Sequence, residues 1–197
     1  MANRTAEISR KTKETQIRVA IDLDGSGKCD AKTGVGFFDH MLDLLARHAL
    51  MDLTVEARGD LDVDAHHTVE DVGIVLGQAI ETAVGDKRGI YRYGWAIVPM
   101  DESLAQVALD LSGRPAFVFN APFRGAMIGQ FAAELVEEFF KSVATNAKCN
   151  LHVNVPYGTN NHHIAEAIFK ATAKALRQAV SHDAPAAGQV PSTKGSL

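Results

Sequence analysis

At 197 residues, 46% of them apolar, the chain has ample length for one domain or two small ones with a substantial core. A formal net charge of −4 excludes the global basic footprint of a nucleic-acid binder, no uninterrupted apolar run reaches membrane length, and the polar, mixed-charge Met1–Thr15 lacks the apolar core of a signal peptide. Cys29 and Cys149, the only cysteines, lie far apart and suit a reducing, cytoplasmic setting better than a disulfide framework.

Strands are predicted over 5–10 and 16–23, the second alternating through Gln16-Ile17-Arg18-Val19-Ala20-Ile21-Asp22-Leu23, with a hairpin at Glu14 and Thr15 between them. Asp24-Gly25-Ser26-Gly27 reads as a turn. The run Val19–Ser26 resembles the nucleophile motif of haloacid-dehalogenase-type phosphatases, but a strand ending in an Asp-Gly turn accounts for it, because the chain lacks the parallel βαβ rhythm of that fold. Phe38, Met41, Leu42, Leu45 and Ala49 then form a helical stripe, with His40 and His48 two turns apart on that helix and Asp43 and Arg47 nearby. Residues 51–57 alternate as a strand. The acidic loop Asp60-Leu61-Asp62-Val63-Asp64 leads into a helix over 66–84, with Asp64 as its expected N-cap.

A basic, aromatic linker, Lys87–Gly94, opens the second half. Strands follow over 95–100 and 104–111 around the turn Asp101-Glu102-Ser103, and a short extra strand over 116–120 after Ser112-Gly113-Arg114-Pro115. A helix is predicted from about Gln130 to Thr145, a strand over 149–155 and a helix over 162–180. The Ala-, Pro-, Gly- and Ser-rich tail from Asp183 is expected to be mobile.

The two long helices repeat one another. Residues 66–84 and 162–180 superpose at an offset of 96 and share His66-His67-x-x-Glu70 and His162-His163-x-x-Glu166. Shorter matches, such as Ala20–Gly25 against Ala108–Gly113, extend the duplication. The predicted architecture is an α/β (α+β) sandwich of two β-β-α-β-α halves, residues 1–90 and 91–182, each a mainly antiparallel sheet with helices on one face, forming one compact unit with the tail 183–197 contributing to a site.

Positions i and i+4 of a helix share a face, so His66 pairs with Glu70 and His162 with Glu166, while His67 and His163 are turned about 100° away. Imidazole and carboxylate together suit Mn, Fe, Zn or Co. Two copies of the pattern suggest two metals, each taking a His-x-x-x-Glu pair from one copy and the spare histidine of the other. Alignment of the halves also matches His40 with Glu138, which adds a fourth candidate ligand for each ion.

With Thr33-Gly34-Val35-Gly36-Phe37-Phe38-Asp39-His40-Met41-Leu42, Asp64–Asp71, Met100-Asp101-Glu102-Ser103, Gly158–His163 and Ser192-Thr193-Lys194-Gly195, the chain resembles the imidazoleglycerol-phosphate dehydratase family in its monofunctional form, over nearly its whole length. The resemblance implies the fold of the second domain of ribosomal protein S5. It implies removal of water from imidazole glycerol phosphate to give imidazole acetol phosphate in histidine biosynthesis, two Mn²⁺ per active site, and trimers assembled into a 24-subunit shell with sites where subunits meet. It assigns one ion to His40, His67, His162 and Glu166 and the other to His66, Glu70, His163 and position 138. There the sequence departs: the family motif often has histidine where Glu138 stands, although a carboxylate also binds Mn²⁺.

The departing hydroxyl and a non-acidic carbon-bound proton demand an electron sink, which the imidazole ring supplies on losing its N–H proton, with the metals as Lewis acids and template. The resemblance makes Glu14 the general acid/base, with Glu70 and Glu166 as further proton carriers. It sets Arg92, Arg114 and Lys194 against the phosphate with Ser192 and Thr193 donating hydrogen bonds, and His48 with Asp43 beside the substrate hydroxyls. His40, His66, His67 and His162 border the bound substrate as well. Two other classes are separable: a dinuclear metal-dependent phosphate-ester hydrolase, marked by phosphate release, and a metal-storage or structural shell, marked by metal without turnover.

Overall fold

The computed structural model describes residues 4–195 and 197; the outermost residues of the predicted first half and one of the predicted tail, 1–3 and 196, lie outside them. In chain order the elements are β1 (Thr5–Lys11), β2 (Thr15–Asp22), β3 (Cys29–Lys32), α1 (Gly36–Ala49), β4 (Asp52–Gly59), α2 (His66–Val84), β5 (Tyr93–Met100), β6 (Ser103–Asp110), β7 (Ala116–Asn120), β8 (Met127–Ile128), β9 (Phe131–Ala132), α3 (Leu135–Asn146), β10 (Asn150–Tyr157) and α4 (Asn161–Val180). A single 3₁₀ turn, Ala184–Ala186, follows.

The four-stranded sheets have the same topology, β1-β2-β4-β3 and β5-β6-β10-β7. In each, the last-named strand pairs in parallel and the others antiparallel. The duplication is therefore more complete than the sequence suggested: β7, expected as an extra strand, has its counterpart in β3. Cys29-Asp30-Ala31-Lys32 alternates over only four residues, with the small Cys29 and Ala31 turned inward, too short a pattern to announce a strand, and its register comes from backbone pairing with β4.

A second difference concerns α3, expected from about residue 130 but beginning at Leu135. Phe131–Ala132 instead pair antiparallel with Met127–Ile128. Gly129, at φ +60°, makes the reversal between them with a backbone that glycine adopts without strain. Phe131 is nevertheless buried, so its apolar character serves the core from a hairpin rather than from a helix.

Each sheet buries one face; Ile17, Val19 and Ile21 of β2 alternate with half-buried or exposed neighbours. Helices cover the inner faces, and the principal helix pairs cross between halves: α2 packs on β1, β2 and α3, whereas α4 packs on β5, β6 and α1. Glycines allow the α2–α3 approach, since a Cβ on Gly73 would lie 2.8 Å from the Phe139 carbonyl oxygen and one on Gly77 2.7 Å from that of Val143. Phe139 stacks on Phe169 at 5.4 Å and meets Phe38 edge-on at 5.1 Å, joining α1, α3 and α4 in one continuous core.

Candidate active site

The crossing of α1 over α4 assembles the central cluster. His40 reaches across from α1, and its Nε2 lies 3.1 Å from Oε1 of Glu166; Nε2 of His162, one turn earlier on α4, lies 3.0 Å from the same oxygen. Among the described residues this is the one trio of His, Cys, Asp or Glu whose ligand atoms gather within 4.8 Å. Burial alone would raise the Glu166 carboxyl, but hydrogen bonds from Lys170, His40 and His162 outweigh it and bring it down to about 2. Two imidazole nitrogens and an ionised carboxylate oxygen form a donor set that fits a divalent transition ion.

The same local device starts both histidine helices. Oδ1 of Asp64 accepts from the backbone N–H of His66 at 2.7 Å, and Oδ1 of Asn160 from that of His162 at 2.9 Å. Ala65 rather than Asp64 is the boundary residue of α2, so Asp64 caps from one position further out than expected. A groove lined by Gly36, Phe37, Asp64, His66, Phe131 and His162 runs between the two helix starts.

The remaining candidate ligands take other partners. Nδ1 of His67 lies 3.0 Å from Oδ2 of Asp60, which with nearby Glu14 and Asp64 pulls its pKa up. Nδ1 of His163 lies 2.7 Å from Oε2 of Glu102, and this bond raises the histidine. The bond from His163 and the N–H groups of Asn160 and Thr159 hold Glu102 far below the ordinary carboxylate range. Glu138 meets Lys141 at 3.3 Å. Glu70 is partly buried on α2 and, among the described residues, stands in no trio like that of Glu166.

His48 lies further along α1, its pKa lowered by burial and by Lys174, Lys170 and Arg47, while Asp43 is exposed one turn earlier. The cationic candidates lie elsewhere. Arg92 grips Asp110 and donates through Nη1 to the Pro191 carbonyl at 2.8 Å, so it touches the tail directly. The Ser112–Arg114 turn lies beside the chain end, since a Cβ on Gly113 would be 3.0 Å from the Leu197 carbonyl carbon. Ser192 Oγ accepts from the Lys194 N–H at 3.2 Å, while Thr193 and the Arg114 side chain are exposed.

Sequence reasoning missed Lys170, Asp110, and the partners Asp60 and Glu102. A signal for Glu102 was present: the offset that superposes Ala20–Gly25 on Ala108–Gly113 also carries Glu14 onto Glu102, each in the hairpin turn of its half.

A family model described as imidazoleglycerol-phosphate dehydratase matches residues 33–176. The chain belongs to the imidazoleglycerol-phosphate dehydratase family. Curated dehydratases of this name from Azorhizobium caulinodans and Cereibacter sphaeroides are 62% and 59% identical to it, each over 98% of this chain and 98% and 100% of their own lengths. Its length is therefore that of a monofunctional dehydratase. The crystal structure of the Staphylococcus aureus dehydratase superposes with a TM-score of 0.82 at 42% identity, covering 90% of this chain and 99% of that one. The Pyrococcus furiosus enzyme superposes at 0.83 and 36% identity, covering 96% and 100%. Dehydratases of this family are hydro-lyases of histidine biosynthesis, and the α/β fold with antiparallel-dominated sheets is theirs.

Proposed function

We propose that this enzyme removes water from imidazole glycerol phosphate at a dinuclear Mn²⁺ site completed between subunits. The observation that carries the reading is the convergence of His40 and His162 on one oxygen of Glu166. One ion would be held by His40, His162 and Glu166 with His67, the other by His66, Glu70, His163 and Glu138. When bound, the ions supply Lewis acidity toward the substrate imidazole. Glu14, in the β1–β2 turn near His67, moves the carbon-bound proton, with Glu70 and Glu166 as secondary carriers. Arg92, Arg114, Lys194, Ser192 and Thr193 hold the phosphate; His48 and Asp43 face the hydroxyls.

Because His67 and His163 stand apart from the trio, neighbouring subunits are the proposed source of the missing ligands, in trimers built into a 24-subunit shell. The two sheets support self-association by their difference. On the outer face of the second, Trp95, Ala108, His152 and Val118 form one cross-strand row, with Trp95 64% and Val118 50% exposed. The corresponding row of the first sheet is Glu7, Ala20, Thr54 and Asp30. An exposed apolar row of this kind suits a second copy of the chain. Both cysteines are free and burial pushes both thiols up to about 12, consistent with the proposed cytoplasmic location. No described helix is long and apolar enough to cross a membrane.

The test is manganese per chain after loading and desalting, paired with turnover. About two ions and dehydrated product support the reading; phosphate release would instead mark a hydrolase, and no bound metal would overturn the dinuclear site.

A further inference from the structure

Both spare histidines, one in each repeat, have the same atom held by a carboxylate. Nδ1 of His67 faces both oxygens of Asp60, at 3.2 and 3.0 Å, and Nδ1 of His163 faces Oε2 of Glu102 at 2.7 Å. The carboxylates come from non-equivalent places: Asp60 from the loop before α2, and Glu102 from the β5–β6 turn. The two halves thus reach one geometry by different routes.

An ionised carboxylate only accepts hydrogen bonds, so each Nδ1 must donate. A neutral imidazole that donates from Nδ1 keeps its lone pair on Nε2, the nitrogen that His40 and His162 already turn toward Glu166. We infer that Asp60 and Glu102 are positioning residues that fix the tautomer and direction of His67 and His163, leaving Nε2 as the single metal-binding atom of each ring. The inference rests on the dinuclear reading above.

A plain surface ion pair would be worth little and would not fix a ring. Glu102 is built more firmly than that. Its Oε1 accepts from the Asn160 N–H at 2.7 Å, the Thr159 N–H at 3.0 Å, the Thr159 hydroxyl at 3.2 Å and the Ser103 hydroxyl at 3.0 Å, leaving Oε2 for His163. One carboxylate therefore sets both the start of α4 and the ring beside it. The other contact of His163, Nε2 to Asp101 at 3.7 Å, involves an acid whose side chain is 72% exposed and free to yield that nitrogen to an ion. Carboxylate partners of metal-binding histidines generally sharpen affinity about 10–100-fold.

The test is Mn²⁺ titration of the full-length, metal-stripped protein by calorimetry, together with ring-¹⁵N solid-state NMR of histidine-labelled protein. Asp60→Ala should weaken one of two sites about 10–100-fold and Glu102→Ala the other, with Asp60→Asn and Glu102→Gln recovering most of the loss. The metal-free wild type should show His67 and His163 with the proton on Nδ1, and each Ala variant should lose that signature at its own ring. Because Glu102 also holds the Thr159–Asn160 turn that leads into α4, Asp60→Ala and the wild-type His163 tautomer decide the matter should Glu102→Ala fail to fold. Unchanged affinity and unchanged tautomers overturn the assignment. A wild type that takes up no Mn²⁺ sinks the dinuclear reading itself, and the ring tautomers then show separately whether the carboxylate contacts exist.

Discussion

Arg92 and Asp110 face each other as a fork, Nε to Oδ1 at 2.7 Å and Nη2 to Oδ2 at 3.1 Å, with both side chains mostly buried. The hydrogen bond that Arg92 donates to Asp110 dominates and raises its pKa, although burial opposes the charge. With its fork fixed by Asp110 and Nη1 on the Pro191 carbonyl, this arginine joins the second sheet to the tail that carries Ser192 and Lys194. Asp110→Asn should therefore raise KM about ten-fold, equivalent to roughly 1.4 kcal/mol, with kcat changed by less than about two-fold. Arg114→Ala should raise KM in the same way. Steady-state kinetics check both: an unchanged KM would show that Asp110 does not position Arg92 for the phosphate in the first case, and would remove Arg114 from phosphate binding in the second.

Glu14 sits in a turn fixed from two sides. Thr12 Oγ1 accepts the Glu14 and Thr15 backbone N–H groups, while the Thr15 hydroxyl and Arg10 both bond to buried Asp71 on α2. The turn is thus tied to the helix bearing His66, His67 and Glu70. Glu14→Gln preserves that frame and removes the titrating group. It should keep metal stoichiometry and KM while lowering kcat about 10²–10⁴-fold. Near-normal turnover would end the acid/base role.

Asp52 gives a prediction about pH. Its Oδ1 accepts from the backbone N–H groups of Ser26 at 2.7 Å and Lys28 at 2.9 Å, and bonds to Lys28 and Ser26 lower its pKa. A folded pKa below the unfolded value, about 3.9, stabilises the fold above that value and loses the contribution as pH falls through the native one. Denaturant titrations should show the stability gap between wild type and Asp52→Asn at neutral pH closing as pH falls through this range. A gap independent of pH would refute the assignment.

Trp95 tests the assembly. It is solvent-exposed within the chain, so Trp95→Lys should fold normally yet sediment as a smaller species than wild type in analytical ultracentrifugation. An unchanged sedimentation coefficient would show that this face lies outside the contacts.

Much of this was legible because it is written locally. The His-His-x-x-Glu repeat, the apolar stripe of α1 and the alternation of β2 need only their own residues. What was hidden depends on distant partners. His163 and Glu102 are separated by 61 positions, and β3 acquires its register only from β4. α3 starts later than expected because Gly129 folds the preceding stretch back as a hairpin, which buries Phe131 without a helix. Lys170 had no duplicate to draw the eye, for its equivalent in the first repeat is Ile74.

The exchange of helix partners between halves bears on ancestry. In the present chain the Gly73 and Gly77 flank of α2 is covered by α3 of the other half and not by α1 of its own, so a single half in this arrangement would leave that flank open. Two identical halves could have closed both cores by trading their first helices as a swapped dimer. Fusing the pair through a linker such as residues 85–92 would turn that exchange into an intramolecular contact and free the copies to diverge. Lys170 opposite Ile74 and the apolar row opposite the charged one then record what each copy did with that freedom.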